Sequence, residues 1–263
     1  MKKLGKIYLV LVMLFLYVPI FVLIVFSFNE SKSRSVFSGF TLDWYRKLFQ
    51  NDIIISSLVN TLIIAVIASI VSTVLGTLAA IGINSMKKVP KAIVMNITNM
   101  PIINPEIVTG VSLMLLFVFF AARMNLEFGF VTLLIAHITF DVPYVILNVM
   151  PKFRQMDPHL YEAAQDLGCS PFKAFIKVVL PEIMPGVVSG FLMAFTYSLD
   201  DFVISYFTSG SSSQTLPVTI YSMTRRKVSP EINALSTIIF VVVVVILIVK
   251  NCIEIRQLRK KEA

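Results

Sequence analysis

The chain has 263 residues, of which 57% are hydrophobic and only 14% charged, with a mean hydropathy of +0.84 and a net charge of +8. A soluble domain holds roughly 45–50% apolar and about 25% charged residues, so this composition excludes an ordinary soluble enzyme and indicates a polytopic membrane protein. The basic residues flank apolar runs, which assigns the charge to topology and anionic lipid rather than to nucleic acid.

Six spans are expected, at about 7–28, 58–83, 93–121, 128–150, 187–208 and 234–250, each close to the ~18–20 residues that cross a bilayer. The opening stretch "MKKLGKIYLVLVMLFLYVPIFVLIVFSFN" has an apolar region of about 22 residues and no A-x-A site, and reads as a retained first span rather than a signal peptide. Lys2, Lys3, Lys6, Lys87, Lys88, Lys91, Lys152, Arg154, Lys173, Lys177, Lys250, Arg256, Arg259, Lys260 and Lys261 fall on one side of these spans. Lys32, Arg34, Arg46, Lys47, Arg123, Arg225, Arg226 and Lys227 fall on the other. The excess on the first side places both termini in the cytosol. Cys169 and Cys252 then lie on the cytosolic side, where a disulfide is not expected.

In the first outer loop, "GFTLDWYRKLF" reads as an interfacial helix. Thr41 is its expected N-cap, and Trp44, Tyr45, Leu48 and Phe49 its apolar face. The third span is expected to be broken in "NMPIINPEIVTG", where Pro101 and Pro105 each remove a donor and disfavour helix at the preceding residue. Irregular backbone at membrane depth survives only where protein or a wet cavity covers it, so the break indicates a bundle with an interior path.

The segment 151–186 carries two short helices. Asp157-Pro158 and Ser170-Pro171 are N-cap and Pro-N1 pairs. The first helix stops at Gly168, a natural C′ residue. The second is expected to end before Pro181. Ala163 and Ala164 leave a thin patch, Glu162 and Asp166 share a face, and Leu160 and Leu167 share another. By physics alone this is either a helix that docks into a partner's groove or an amphipathic interfacial helix.

Four acids lie within the spans: Glu106, Asp141, Asp200 and Asp201. No span contains a lysine or arginine to pair with them, save Lys250 at the very end of the last. A charge at the centre of a spanning helix costs about 2.5–3.5 kcal/mol on insertion scales and is a functional-site hypothesis by default; a bound cation would relieve the desolvation and the mutual repulsion. Counted from the cytosolic end of their spans, Glu106 and Asp200 both lie about 13 residues, or roughly 20 Å, in, so they are expected to form one acidic layer. Asp141 is expected nearer the cytosol. Asp200 and Asp201 point about 100° apart on a helix, leaving open which one faces the path. Tyr197 lies on their side and offers a cation–π face or a structural ring. Glu106 reads equally as the first-turn acid of a resumed half-helix capped by Asn104. His137 and His159 stand apart from any metal-ligating cluster, and no phosphate-cradling loop, H-E-x-x-H or nucleophile elbow is present.

The stretch "EAAQDLGCSPFKAFIKVVLP" resembles the cytosolic EAA motif of the membrane subunits of ABC importers: Glu-Ala-Ala, three residues, Gly, nine residues, Ile, one residue, Leu-Pro. Glu162, Ala163, Ala164, Gly168, Leu180 and Pro181 match it, and Val178 stands where the family has Ile. "VFSFN", "FTLDWY", "MPIINPEIVTGVSL", "HITFDVPYV", "SLDDFVISYFTSG" and "LPVTIYSMTRRKVSPEINAL" extend the resemblance over nearly the whole chain to the second permease of the spermidine/putrescine importers. Asp141 departs from it, standing where a neutral residue is expected.

The resemblance implies an all-α, six-span type I importer permease, a single transmembrane domain over 1–263 with a cytosolic coupling segment at 151–186. It assigns ATPase coupling to Glu162, Ala163, Ala164 and Gly168, and leaves Glu106, Asp200, Asp201 and Tyr197 as substrate-path candidates. It implies a heterodimer with a sister permease, two cytosolic ATPase subunits carrying the ATP and Mg, an extracytoplasmic solute-binding protein, and a bacterial cell membrane. No cofactor, metal or catalytic residue is expected on this chain. The expected cargo is a polyamine. The alternatives are another small solute such as an opine or an amino-acid-like compound, or an ion-coupled secondary transporter with the acids as a proton relay.

Overall fold

The computed structural model describes residues 2–31, 36–124, 127–157, 159–226 and 230–262. Lys32, Arg34, Pro158 and Lys227 lie outside the described residues, as do the side chains of Cys252 and of the basic C-terminal stretch. Helix follows helix along the chain: α1 (Lys2–Ser27), α2 (Asp43–Gln50), α3 (Asp52–Asn84), α4 (Lys88–Ile103), α5 (Glu106–Met124), α6 (Phe130–Gln155) and α7 (His159–Asp166). After these come α8 (Pro171–Asp200), α9 (Val203–Thr208), α10 (Leu216–Arg226) and α11 (Pro230–Glu262). Such apolar segments become helices because a bilayer offers no partner for backbone N–H and C=O groups, which must pair within the segment. The polar residues inside them follow the same rule. Thr61 and Thr73 return their hydroxyls to the carbonyls of Ser57 and Ser69, one turn back, at 2.8 and 2.6 Å.

Among the described residues, five helices are long and apolar enough to cross a membrane: Gly5–Ser27, Asp52–Asn84, Glu106–Arg123, Phe130–Gln155 and Pro171–Asp200. The sixth expected span falls in α11, whose apolar stretch Pro230–Val245 is shorter.

The chain forms two compact units, Met1–Ile55 with Ile220–Ala263, and Ser56–Thr219. In the first, α11 packs against α1 and α2. Trp44 and Leu48 are buried, and the indole N–H of Trp44 donates to the carbonyl of Asn29 at 2.7 Å. The ring is therefore a packed anchor rather than an interfacial belt residue, and Phe49 is exposed. Thr41 is not the N-cap either. Leu42 holds that position, and the Thr41 hydroxyl accepts only the N–H of Asp43, at 3.2 Å. Asn29 closes the loop between α1 and α2 by donating to the Val36 carbonyl and accepting the Ser38 N–H, both at 2.9 Å.

In the second unit, one core joins Ala80 and Ile83 of α3, Val145, Val149 and Met150 of α6, and Ile183 and Ala194 of α8. Gly186 and Gly190 let α8 approach α6 closely. A Cβ would meet the Asn148 carbonyl at 2.8 Å and the Val145 Cα at 3.1 Å, respectively. A second core joins Leu113 and Phe117 of α5, Phe140 of α6 and Ile204 of α9.

Three expected boundaries are corrected. The third span is broken at Asn104–Pro105 alone: α4 runs through Pro101, and the Asn104 N–H still bonds to the Met100 carbonyl at 3.0 Å. Asn104, placed before proline, is extended (φ −74°, ψ 140°). The second cytosolic helix does not end before Pro181 but continues to Asp200. Phe175–Val179 form a wide π-helical turn, in which the Leu180 N–H bonds to the Phe175 carbonyl. Such a turn occurs as a single bulge inside an α-helix, and it loosens the ladder where the proline ring would otherwise press on a carbonyl. Finally, the fifth span is not helical to 208. It stops at Asp200, Asp201 is non-helical (φ −59°, ψ 122°), and α9 begins at Val203.

Candidate functional site

These two breaks place the acids. Glu106 is the first residue of α5 and Asp200 the last of α8. Glu106 thus follows a break rather than lying thirteen residues inside a continuous span, whereas the helix that leads to Asp200 is continuous from Pro171. Even so, the folded unit brings them together, with Glu106 in electrostatic range of both Asp201 and Asp200. Both Glu106 and Asp200 are exposed on the chain, whereas Asp201 is buried, at 9% exposure.

The two adjacent aspartates therefore differ in what they do. The Asp201 carboxylate accepts the backbone N–H groups of Ile204 at 3.2 Å and Ser205 at 2.7 Å. It caps the first turn of α9, satisfying donors that have no partner within the helix. Asp200 caps no turn of α9: its hydrogen bond is to its own backbone N–H, and its side chain is exposed at the end of α8. This corrects the expectation that both project from one continuous helix, and it separates the structural acid from the accessible one.

Beside them lies an aromatic group that the sequence indicated only through Tyr197. Tyr197 of α8 and Tyr144 of α6 have ring centroids 4.4 Å apart, and Phe140 stands edge-on to both at 6.1 and 5.2 Å. Both tyrosines are half-buried, and Tyr144 is in electrostatic range of Glu106 and Asp141. Carboxylates next to aromatic faces suit an organic cation: the acids supply charge, and the rings accept ammonium or methylene groups on their π-faces. Phe140 and Tyr144 were legible as part of a stripe, His137, Phe140, Asp141 and Tyr144, spaced i, i+3, i+4 and i+7 on α6.

Asp141 is fully buried, with neither carboxylate oxygen hydrogen-bonded. It lies in electrostatic range of Asp201. His137 is buried between α8 and α9, its Nδ1 2.6 Å from the Ser198 hydroxyl and its Nε2 3.0 Å from the Ser205 hydroxyl. No lysine or arginine among the described residues forms an ion pair with Glu106, Asp141, Asp200 or Asp201.

At the other end of α8 is the segment read as a coupling motif. The carboxylate of Asp157 accepts the His159 N–H at 2.9 Å, as an N-cap does. The C-terminus is a Schellman motif. Gly168 adopts φ +85°, its N–H bonds to the Gln165 carbonyl at 2.8 Å, and the Cys169 N–H bonds to the Ala164 carbonyl at 3.1 Å. Glu162, Ala163 and Gly168 are exposed. Ala164 is not part of an open small-residue patch: it is buried within the chain. Leu167 is 87% exposed and Phe172 also projects, so the segment presents apolar side chains that none of the described residues covers.

The family model for binding-protein-dependent transport system inner membrane components matches residues 72–254. The chain belongs to that family. This permease is 40% identical over 229 residues to the putrescine transport system permease protein PotI of Escherichia coli (strain K12), covering 86% of this chain and 81% of that protein. It is 38% identical over 239 residues to the spermidine/putrescine transport system permease protein PotC of the same strain, covering 91% and 89%. The corresponding PotC protein of Haemophilus influenzae is 37% identical over 91% of each chain. In fold, the permease resembles a chain of a bacterial ABC transporter that imports the acidic polysaccharide alginate, with a TM-score of 0.70 over 96% of this chain and 95% of that one. At 13% identity that likeness concerns the fold alone. The permease is a multi-pass membrane transport protein of the importer type.

Proposed function

We propose that this permease forms half of the path by which an ATP-driven importer admits polyamines, putrescine and spermidine in particular. The observation that carries the reading is that Glu106 and Asp200, from two different helix breaks, lie within electrostatic range of each other beside the paired rings of Tyr144 and Tyr197. A polyamine is a flexible chain with an ammonium at each end. Carboxylates within electrostatic range of each other, with π-rich rings beside them, complement an ammonium and its methylene chain without a basic residue to compete. The two Escherichia coli relatives, named for putrescine and for spermidine/putrescine transport, point to the same cargo.

The coupling segment completes the proposal. Glu162, Ala163 and Gly168, with the uncovered Leu167, form the surface that docks on a cytosolic ATPase. Two ATPase subunits hold the ATP and Mg, a sister permease supplies the other half of the path, and an extracytoplasmic binding protein delivers the cargo. Both termini face the cytosol of a bacterial cell. Helix α8 runs from the docking segment to Asp200, about 45 Å at 1.5 Å per residue, so ATPase movement reaches the acid site through one element.

Uptake of labelled putrescine into a strain deleted for this permease and re-expressing it tests the reading. Excess spermidine should compete, and an opine or a neutral amino acid should not. Uptake that ignores spermidine, or that survives an inactive ATPase and collapses with the proton gradient, would defeat it.

A further inference from the structure

The break between α8 and α9 contains no residue that forbids a helix. Residues 198–209, "SLDDFVISYFTS", contain neither proline nor glycine, and their alternation of apolar and small residues suits an uninterrupted helix. Sharp departures from helix without such a residue or a bulge arise where a side chain inserts into the backbone ladder. Here two side chains do so. Asp201 accepts the N–H groups of Ile204 and Ser205 from within the break. His137 approaches from α6, at 2% exposure, and spans it. Its Nδ1 meets the hydroxyl of Ser198 in the last turn of α8, and its Nε2 meets the hydroxyl of Ser205 in the first turn of α9. The Nε2 also lies 3.6 Å from the Asp201 carboxylate. Serine hydroxyls both donate and accept, so a neutral imidazole is satisfied at both nitrogens in either tautomer. The far end of α9 is tied to α6 as well, where the Thr132 hydroxyl donates to the Thr208 carbonyl at 2.8 Å.

We propose that His137 is a positioning residue for the substrate site: by clamping Ser198 to Ser205 it holds the helix break that ends α8 at Asp200 and so presents the Asp200 carboxylate to the path. The inference rests on the polyamine reading for the role of Asp200, and on its own geometry for the clamp. His137 touches no cargo; it acts by holding α9, and the α5 that packs on it, in place against the end of α8. Released from the clamp, α8 gains the option of winding on into α9, which displaces α5 and its first residue Glu106 relative to Asp200.

The test uses the complete importer in membranes, with labelled putrescine as the probe and the amount of assembled complex measured for each variant. His137→Ala is expected to raise the KM for putrescine about ten-fold through loss of two buried hydrogen bonds, with kcat within about two-fold of wild type. His137→Asn, whose amide reaches the place of Nδ1, and His137→Gln, whose amide reaches the place of Nε2, should each recover part of the loss. They also carry the test if the alanine variant fails to assemble. In an Asp200→Asn background, replacing His137 should add little, because the arrangement of Glu106 and Asp200 that it holds is already gone. Effects that multiply in the double variant, or a fall in kcat at unchanged KM, would overturn the positioning role while leaving the cation site standing. An Asp200→Asn variant with wild-type uptake would instead overturn the cation site, and with it the purpose of the clamp.

Discussion

The Asp201 carboxylate accepts the backbone N–H of Ser205 at 2.7 Å, whereas the hydrogen bond of Asp200, its immediate neighbour, is to its own backbone N–H. The bonds of Asp201 to Ile204 and Ser205 thus divide two identical side chains into a structural and a functional candidate. The division predicts opposite phenotypes. Asp201→Ala leaves two buried N–H groups without partners and should cost about 1–3 kcal/mol, read as a lower apparent Tm of the detergent-solubilised protein. Asp200→Ala, at an exposed position, should stay within about 0.5 kcal/mol of wild type yet reduce putrescine uptake. Equal Tm values for the two variants would contradict the assignment.

The paired rings of Tyr144 and Tyr197 are expected to act through their π-faces. Tyr197→Phe and Tyr144→Phe should take up putrescine nearly as wild type does. Tyr197→Ala should raise the KM by about three- to thirty-fold, the range set by roughly 0.5–2 kcal/mol for a cation over an aromatic face. If the phenylalanine variant were as impaired as the alanine one, the hydroxyl rather than the ring would be the recognition group.

Gly168 sits at φ +85° with open space around its Cα. A side chain there meets no clash, so its cost is backbone strain of about 1–2 kcal/mol, spent at the end of α7 where the docking surface turns. Gly168→Asp should leave the permease in the membrane but abolish co-purification of the ATPase subunit. Gly168→Asn, which tolerates the left-handed conformation better, should retain more of it. Full ATPase association in the aspartate variant would remove the docking role.

Close approach of α6 and α8 depends on Gly186. A methyl group there falls 2.8 Å from the Asn148 carbonyl and 3.2 Å from the Val149 Cα, and backbone does not yield as a flexible side chain does. Gly186→Ala should destabilise the protein by about 1–3 kcal/mol, and Gly186→Leu should prevent accumulation in the membrane. Gly82→Ala has no atom within 4 Å of the added carbon and serves as the control, with Tm close to wild type.

Much of this permease is legible from the chain itself. The bilayer forces backbone pairing within each segment, so apolar runs become helices whatever their neighbours. Caps are equally local: Asp157 and Gly168 bracket α7 because a short carboxylate and a left-handed glycine satisfy helix ends by themselves. The break at Asn104–Pro105 follows from one missing N–H and one steric clash. The elements whose ends the sequence misplaced are those whose ends depend on something distant. No proline or glycine in "LDDF" stops the helix; the stop comes from Asp201, which caps α9, and from His137, which lies sixty-one residues before the Ser198 that it bonds. Pro181 reads as a terminus, yet the π-helical turn before it lets the helix continue to Asp200. Ala164 and Ala163 are the same residue type, and only packing decides that one is buried and the other exposed.

The sequence by itself thus determined the class of the protein, its helical make-up and the presence of uncompensated acids, because those depend on composition and on interactions within a few residues. Tertiary structure decided which acids meet, which of two adjacent aspartates is free and which rings stand beside them. Those outcomes depend on contacts between α5, α6, α8 and α9, and no local propensity encodes the direction in which a side chain points once its helix is broken from outside.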